Sequence, residues 1–216
     1  MSDDIIRPEW PAPANVVAGT SLKTATADAL PDGMRFLNQV HGAQVVTVAE
    51  VRKSAVPPEA DAVTGQEAGD CCAVRTADCL PVLFCSVDGN KVAAAHAGWR
   101  GLAAGVLENT VAALQCEAGD LIAWLGPAIS QANFEVGDEV RDVFIAAEPA
   151  AATMFEPNDR GRWQADLYGL ARQRLQRCGV ASVYGGKWCT YADDKRFFSY
   201  RRSADTGRMV SFVTLK

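Results

Sequence analysis

Long apolar runs are missing from this sequence. No stretch approaches the roughly 20 consecutive apolar residues of a membrane-spanning helix, the best candidates being broken by Gly98, Arg100 or Glu108. Residues 1–13 carry Asp3, Asp4, Glu9 and three prolines, without the basic end or apolar middle of a signal peptide, so export is not expected. Basic excess is missing too: 21 Lys and Arg against 26 Asp and Glu leave a formal charge of −5, no footprint for a nucleic-acid polymer. The glycine patterns G-x-G-x-x-G and G-x-x-x-x-G-K-[ST] do not occur, which excludes dinucleotide and P-loop sites of those types. The seven cysteines form no C-x-x-C pair; an odd number in a chain that needs no staples points to free thiols in a reducing compartment. Cys71, Cys72, Cys85, Cys116 and Cys178 sit among apolar neighbours and read as small core residues. What is left is a soluble, cytoplasmic protein with a small-molecule substrate and neither a membrane nor a nucleic-acid partner.

An apolar content of 49% suffices for a substantial core, and with no repeat or low-complexity linker the chain reads as one domain over residues 1–216. β-branched apolar runs predict strands near 45–48, 71–75, 82–85, 91–95, 121–125, 182–184 and 209–215. Leu102, Val106, Leu107, Val111 and Leu114 share one stripe and predict a helix over 101–115. A second helix is expected over 166–178, opened by Asp166, and a third over 138–147; segments 56–59 and 156–161 read as surface loops. Strands and helices alternate irregularly, which predicts a mixed α/β or α+β sandwich rather than a doubly wound sheet.

The chain has two histidines, both in glycine-containing, turn-like contexts: Gln39-Val40-His41-Gly42 and His96-Ala97-Gly98-Trp99-Arg100-Gly101. Between them stands Thr76-Ala77-Asp78-Cys79-Leu80-Pro81, where Pro81 is expected to stop regular structure beside an acid and a thiol. Two imidazoles and a thiolate suit a catalytic zinc with one open position. The same residues could make a Cys nucleophile with a His base, or a blue-copper site. The residue types alone leave metal and thiol chemistry open.

Residues 38–42, 60–63, 76–84, 93–108, 125–129, 134–139, 189–191, 197–202 and 206–212 together resemble the YfiH family, also called the laccase-domain or multicopper polyphenol oxidoreductase family. The resemblance implies a layered α/β/β/α fold and one zinc held by His41, Cys79 and His96. It also implies purine nucleoside or methylthioadenosine phosphorylase and adenosine deaminase activity, with polyphenol oxidase and peptidoglycan-editing hydrolase as competing labels. The chain departs from the family's pattern before His41, where the usual paired glycines and a substantial loop are missing and Lys23 stands in place of an arginine. Lys23 offers substrate a charge without the bidentate fork.

Two histidines cannot supply a multicopper cluster, so copper is the weaker alternative to zinc and polyphenol oxidation the weaker activity. The H-x-E and P-C-x-x-C signature of nucleobase deaminases is absent; a deaminase would need another base, and Asp78 is the nearest acid, with a positioning role as its alternative. Phosphorolysis needs an anion site, and Arg100 at the start of the predicted helix offers one. The family motif adds Arg201 and Arg202 as a guanidinium pair for phosphate. Trp99, Phe134, Tyr191 and Phe198 could stack on a purine or pack the core, and Cys189 could touch substrate or a ligand's neighbour. The leading expectation is a zinc-dependent purine nucleoside phosphorylase acting through Cys79, Asp78 and Arg100, with adenosine deamination as a side activity. The alternatives are a Cys-His hydrolase such as a peptidoglycan-precursor amidase, and a non-catalytic metal-binding partner protein.

Overall fold

A computed structural model describes residues 4–216 of the chain; residues 1–3, included in the single-domain expectation and in the reading of the amino terminus, lie outside the described residues. The first half runs β1 (Ile5–Ile6), β2 (Val16–Ser21), β3 (Val45–Thr47), α1 (Val48–Lys53), β4 (Ala62–Gly65), β5 (Cys71–Thr76), β6 (Leu80–Ser86), β7 (Val92–Ala97), α2 (Trp99–Ala103) and α3 (Val106–Ala113). The second half runs β8 (Leu121–Leu125), β9 (Glu135–Val136), α4 (Asp138–Ala147), β10 (Phe155–Pro157), β11 (Trp163–Ala165), α5 (Leu167–Arg177), β12 (Ser182–Gly185) and β13 (Met209–Leu215).

A mixed six-stranded sheet, β12-β8-β6-β7-β4-β3, faces an antiparallel four-stranded sheet, β1-β2-β13-β5, and a small β10-β11-β9 sheet stands apart. The period-2 side-chain alternation of β6 explains the layering. Leu83 and Cys85 point to the second sheet, where they pack with Cys72, Val74 and Val213. Val82 and Phe84 point the other way, into a core shared with Leu107, Val111, Leu170 and Leu175 of α3 and α5. Both faces being covered, β6 is buried throughout, which is why it reads as an unbroken apolar run. The outer face of the four-stranded sheet, with Ala73, Val210 and Phe212, is packed against Leu30, Met34 and Phe36, from a segment whose only regular element is a single 3-10 turn. The α/β class expected from the sequence is the one observed, with its outermost layer on that side formed mainly by loop.

Several local expectations hold. The helix expected over 138–147 is α4, and Asp166 caps α5 by accepting from the Gly169 backbone N–H at 2.9 Å. Two need correction. The single helix over 101–115 is two, α2 and α3, because Gly105 between them takes φ 92°, in the left-handed region where glycine alone is unstrained. Pro81 does not stop structure but lies second in β6. Its carbonyl accepts from Gly126 N–H at 2.9 Å, so its nitrogen faces the side where β8 has already ended, and no ladder donor is lost. Among the described residues, no helix is long and apolar enough to cross a membrane.

Candidate metal centre and cleft

The β6–β7 pairing brings the Thr76–Pro81 and His96–Gly101 motifs together. Leu80 lies opposite Ala97 and Pro81 opposite His96, which sets Cys79, just before β6, against Gly98, just after β7. A Cβ at Gly98 would sit 2.8 Å from Cys79 Sγ and 3.2 Å from His41 Cδ2, so only glycine leaves room there for thiol and imidazole to converge. Gly101 is equally constrained, since a Cβ there would come within 2.8 Å of the Gly42 carbonyl oxygen; it lets α2 pack directly on the loop that carries His41.

Asp61 organises the rest. Its buried carboxylate accepts from the backbone N–H groups of Val40, His41 and Gly42 at 3.2, 2.9 and 2.7 Å and meets His96 Nδ1 at 2.8 Å. The first three contacts hold His41 at φ 60°, an uncommon backbone for a non-glycine residue. The fourth leaves His96 Nε2 as the nitrogen free to ligate, the usual carboxylate–histidine arrangement behind a metal ligand. Burial would raise the Asp61 pKa, but the His96 bond and the Gly42 and His41 N–H groups hold it below the ordinary carboxylate value. Sequence reasoning missed Asp61; a lone acid inside the apolar run Ala60-Asp61-Ala62-Val63 was the available sign.

His41 Nε2 lies 3.9 Å from Cys79 Sγ, the two imidazoles meet edge to face with centroids 4.8 Å apart, and one ligand atom from each of the three residues falls within 4.8 Å of the others. A tetrahedral ion with bonds of roughly 2.0–2.3 Å sets its ligand atoms about 3.3–3.8 Å apart, so the His41–Cys79 pair is already close to that spacing and the widest separation has to close by about 1 Å. Burial opposes ionisation of Cys79, yet hydrogen bonds and charge from His41 and His96 bring its pKa down to about 6. Burial likewise opposes protonation of His96, but Asp61 and Cys79 raise its pKa to about 9. Burial lifts Cys71 to about 11 and Cys85 to about 12, so Cys79 is set apart as a ready thiolate. Donor types, the Asp61 support and the Gly98 cradle all fit a metal ion with one position left open.

These residues lie in a cleft of about 840 Å³, in the upper part of the range for small-molecule sites. Asp78 lines it at φ 90°, but its carboxylate accepts from Thr190 Oγ1, Ser199 Oγ and the Arg201 N–H at 2.6, 3.0 and 2.7 Å. That geometry favours positioning of the 190–201 segment over proton transfer. Arg100 lines the cleft with its guanidinium 4.4 Å from the Trp99 ring centroid; it opens a five-residue helix, not the long one expected, so little helix dipole supports it. Arg201 lines the cleft beside Phe134. Arg202 does not: its guanidinium donates to the carbonyls of Thr190, Tyr191 and Phe197 and clamps the loop. Lys23 is also absent from the lining, its ammonium donating to the Asp194 carbonyl. Of the four aromatics, Trp99 and Phe134 line the cleft and Tyr191 and Phe198 do not. Cys189 lines a separate hollow, with its Sγ accepting from Ser130 and Ala192 N–H groups. Arg75 and Arg208 line the main cleft and were not singled out by sequence reasoning.

Residues 12–216 match the family described as multi-copper polyphenol oxidoreductase laccase. The chain is 45% identical to a Pseudomonas aeruginosa protein named purine nucleoside phosphorylase, over 98% of both chains. It is 41% identical to the Escherichia coli protein named purine nucleoside phosphorylase YfiH, again over 98% of both. Among solved structures it resembles a Neisseria meningitidis protein of family DUF152, with a TM-score of 0.93 and 42% identity over 99% of this chain and 100% of that one. YlmD from Geobacillus stearothermophilus is similar at TM-score 0.89 and 27% identity, covering 100% and 97%.

Proposed function

The chain belongs to the multi-copper polyphenol oxidoreductase laccase family, and from that premise we propose that it is a zinc-dependent purine nucleoside phosphorylase and not a copper oxidase. The observation that carries the reading is the convergence of His41, Cys79 and His96 within 4.8 Å in a cleft also lined by arginines. Two histidines in the whole chain are too few for a multicopper cluster, and two imidazoles with a thiolate and an open position suit zinc. The phosphorylase activity is carried over from the names of the similar P. aeruginosa and E. coli proteins.

A zinc ion held by these three side chains supplies a Lewis acid in the cleft. The protein's own groups do the rest. Arg100 and Arg201 offer guanidinium forks to phosphate oxygens, while Ile129, Phe134 and Leu167 give a purine an apolar surface. Asp61 fixes the His96 ring, and Asp78 holds the Arg201 backbone in place. Cleavage of an N-glycosidic bond builds positive charge on the sugar and negative charge on the base, so a phosphate anion held by the arginines stabilises the cationic sugar as it bonds to C1′, and the departing base takes up a proton from solvent.

Assay of the purified, zinc-loaded protein on adenosine and inosine tests this. Release of free adenine or hypoxanthine that depends on added phosphate is expected, with ribose 1-phosphate as co-product and loss of turnover or of phosphate dependence in Arg100→Ala. Conversion of adenosine to inosine regardless of phosphate, with no base released, would replace the phosphorylase by a deaminase. A second reading, a metal-free thiol hydrolase, draws on the lowered pKa of Cys79; activity retained after the metal is stripped would favour it.

A further inference from the structure

We infer that Arg75 and Arg208 form a second oxyanion subsite in the cleft, so that its preferred purine ligand is a nucleoside bearing a terminal phosphate; this rests on the nucleoside reading above. Arg75 lies opposite Val210 in the β5–β13 ladder. Arg208 stands immediately before β13, at the end of that ladder, and lines the same cleft as Arg75. Gln39 fixes the strand end, its amide donating to the Arg75 carbonyl and accepting from the Arg75 N–H, both at 2.8 Å.

Neither guanidinium meets a carboxylate among the described residues. Arg75 rests on the Phe36 ring at 5.0 Å, and Arg208 donates only to the nearby carbonyls of Thr206 and Gly207. Elsewhere among the described residues Arg52, Arg160, Arg174, Arg177 and Arg196 each meet an acid, in a chain whose net charge is −5. Arg75, Arg100, Arg201 and Arg208 all line the cleft, and none of them has a carboxylate of the described residues within ion-pair distance. The cleft's one acid, Asp78, is already occupied by three donors. A concave surface of one sign focuses its field on a ligand of the other, and four free guanidinia exceed what a neutral nucleoside and one phosphate can use. Arg201 is tethered to Phe134 and the Glu135 carbonyl and Arg100 to Trp99, so the Arg75–Arg208 pair is held by different elements from those two.

Calorimetric titration of the zinc-loaded protein with adenosine, adenosine 5′-monophosphate and inorganic pyrophosphate tests the subsite. The monophosphate is expected to bind at least about tenfold more tightly than adenosine, as one added charge-assisted contact allows, with the preference reduced by raised salt. In Arg75→Gln and Arg208→Gln the affinity ratio should collapse toward one. Equal affinities in the unaltered protein, or a preference that survives both substitutions, would overturn the inference while leaving the nucleoside reading intact. If neither purine ligand binds, the nucleoside reading fails and pyrophosphate decides the subsite: binding lost in Arg208→Gln upholds it, and absent or unaltered binding rejects it.

Discussion

Cys79 differs from Cys71, Cys72 and Cys85 through the groups that surround it. Burial alone would make it as inert as Cys85; His41 and His96 reverse the sign and bring its pKa to about 6. A depressed thiol is ionised above its folded pKa and loses that charge as pH falls through it, so at pH 7 the metal-free protein carries a thiolate at Cys79. Alkylation of metal-stripped protein, followed by mass spectrometry of the Cys79 peptide, should reach a rate plateau above about pH 7 and fall to half near pH 6. In His96→Ala the midpoint should move up toward the ordinary thiol value, and saturating metal should protect the residue in the unaltered protein. A midpoint near 9 in unaltered, metal-stripped protein would contradict the geometry. At this scale the sequence was most legible where chemistry is rare: two histidines and one cysteine in polar surroundings pointed to the centre. Asp61 was illegible because its role depends on three backbone N–H groups and one ring that only the fold assembles. Arg202 and Lys23 donate to loop carbonyls away from the cleft lining, an orientation that a sequence pattern does not state.

The elements read well where pattern and burial agree and poorly where backbone conformation decides. β8 is apolar throughout, and β6 as far as Ser86, because both their faces are covered, and α4 matches its expected span. The break between α2 and α3 was not legible, since a helix tolerates an isolated glycine and the apolar stripe continues through it. α1 was missed although Thr47-Val48-Ala49-Glu50 spells a capping box, with the Glu50 backbone N–H bonded to Thr47 Oγ1 at 3.2 Å and the Glu50 carboxylate returned to the Thr47 N–H at 2.6 Å. Gly105 offers the direct test of the helix break. A methyl group there would meet only Glu108 side-chain atoms at 3.7 Å or beyond, so Gly105→Ala should cost only the left-handed backbone penalty, about 1–2 kcal/mol. Urea denaturation measures it. A gain in stability would mean that the two helices prefer to join, and the account of how α2 packs on the His41 loop would fall with it.

Over the whole molecule, the centre lies where distant parts of the chain converge: the 38–42 loop, Asp61 ahead of β4, and the facing ends of β6 and β7. Asp78 adds the 190–201 segment by bonding Thr190, Ser199 and Arg201. Such a site exists only in the folded chain, so metal affinity is also folding free energy. The layering that builds it was legible as a class, from apolar runs alternating irregularly with helical stripes. The meeting of His41, Cys79 and His96 was legible only through their scarcity and the family resemblance, and the place of Asp61 behind them was not, because nothing local to residue 61 shows that it meets them. The claim on which the functional account stands is that His41, Cys79 and His96 hold a single zinc ion. Elemental analysis of the purified protein tests it most directly: about one zinc per chain is predicted, removed by chelation and greatly reduced in Cys79→Ala and His96→Ala. Several coppers per chain, or one zinc retained in full by both variants, would contradict it.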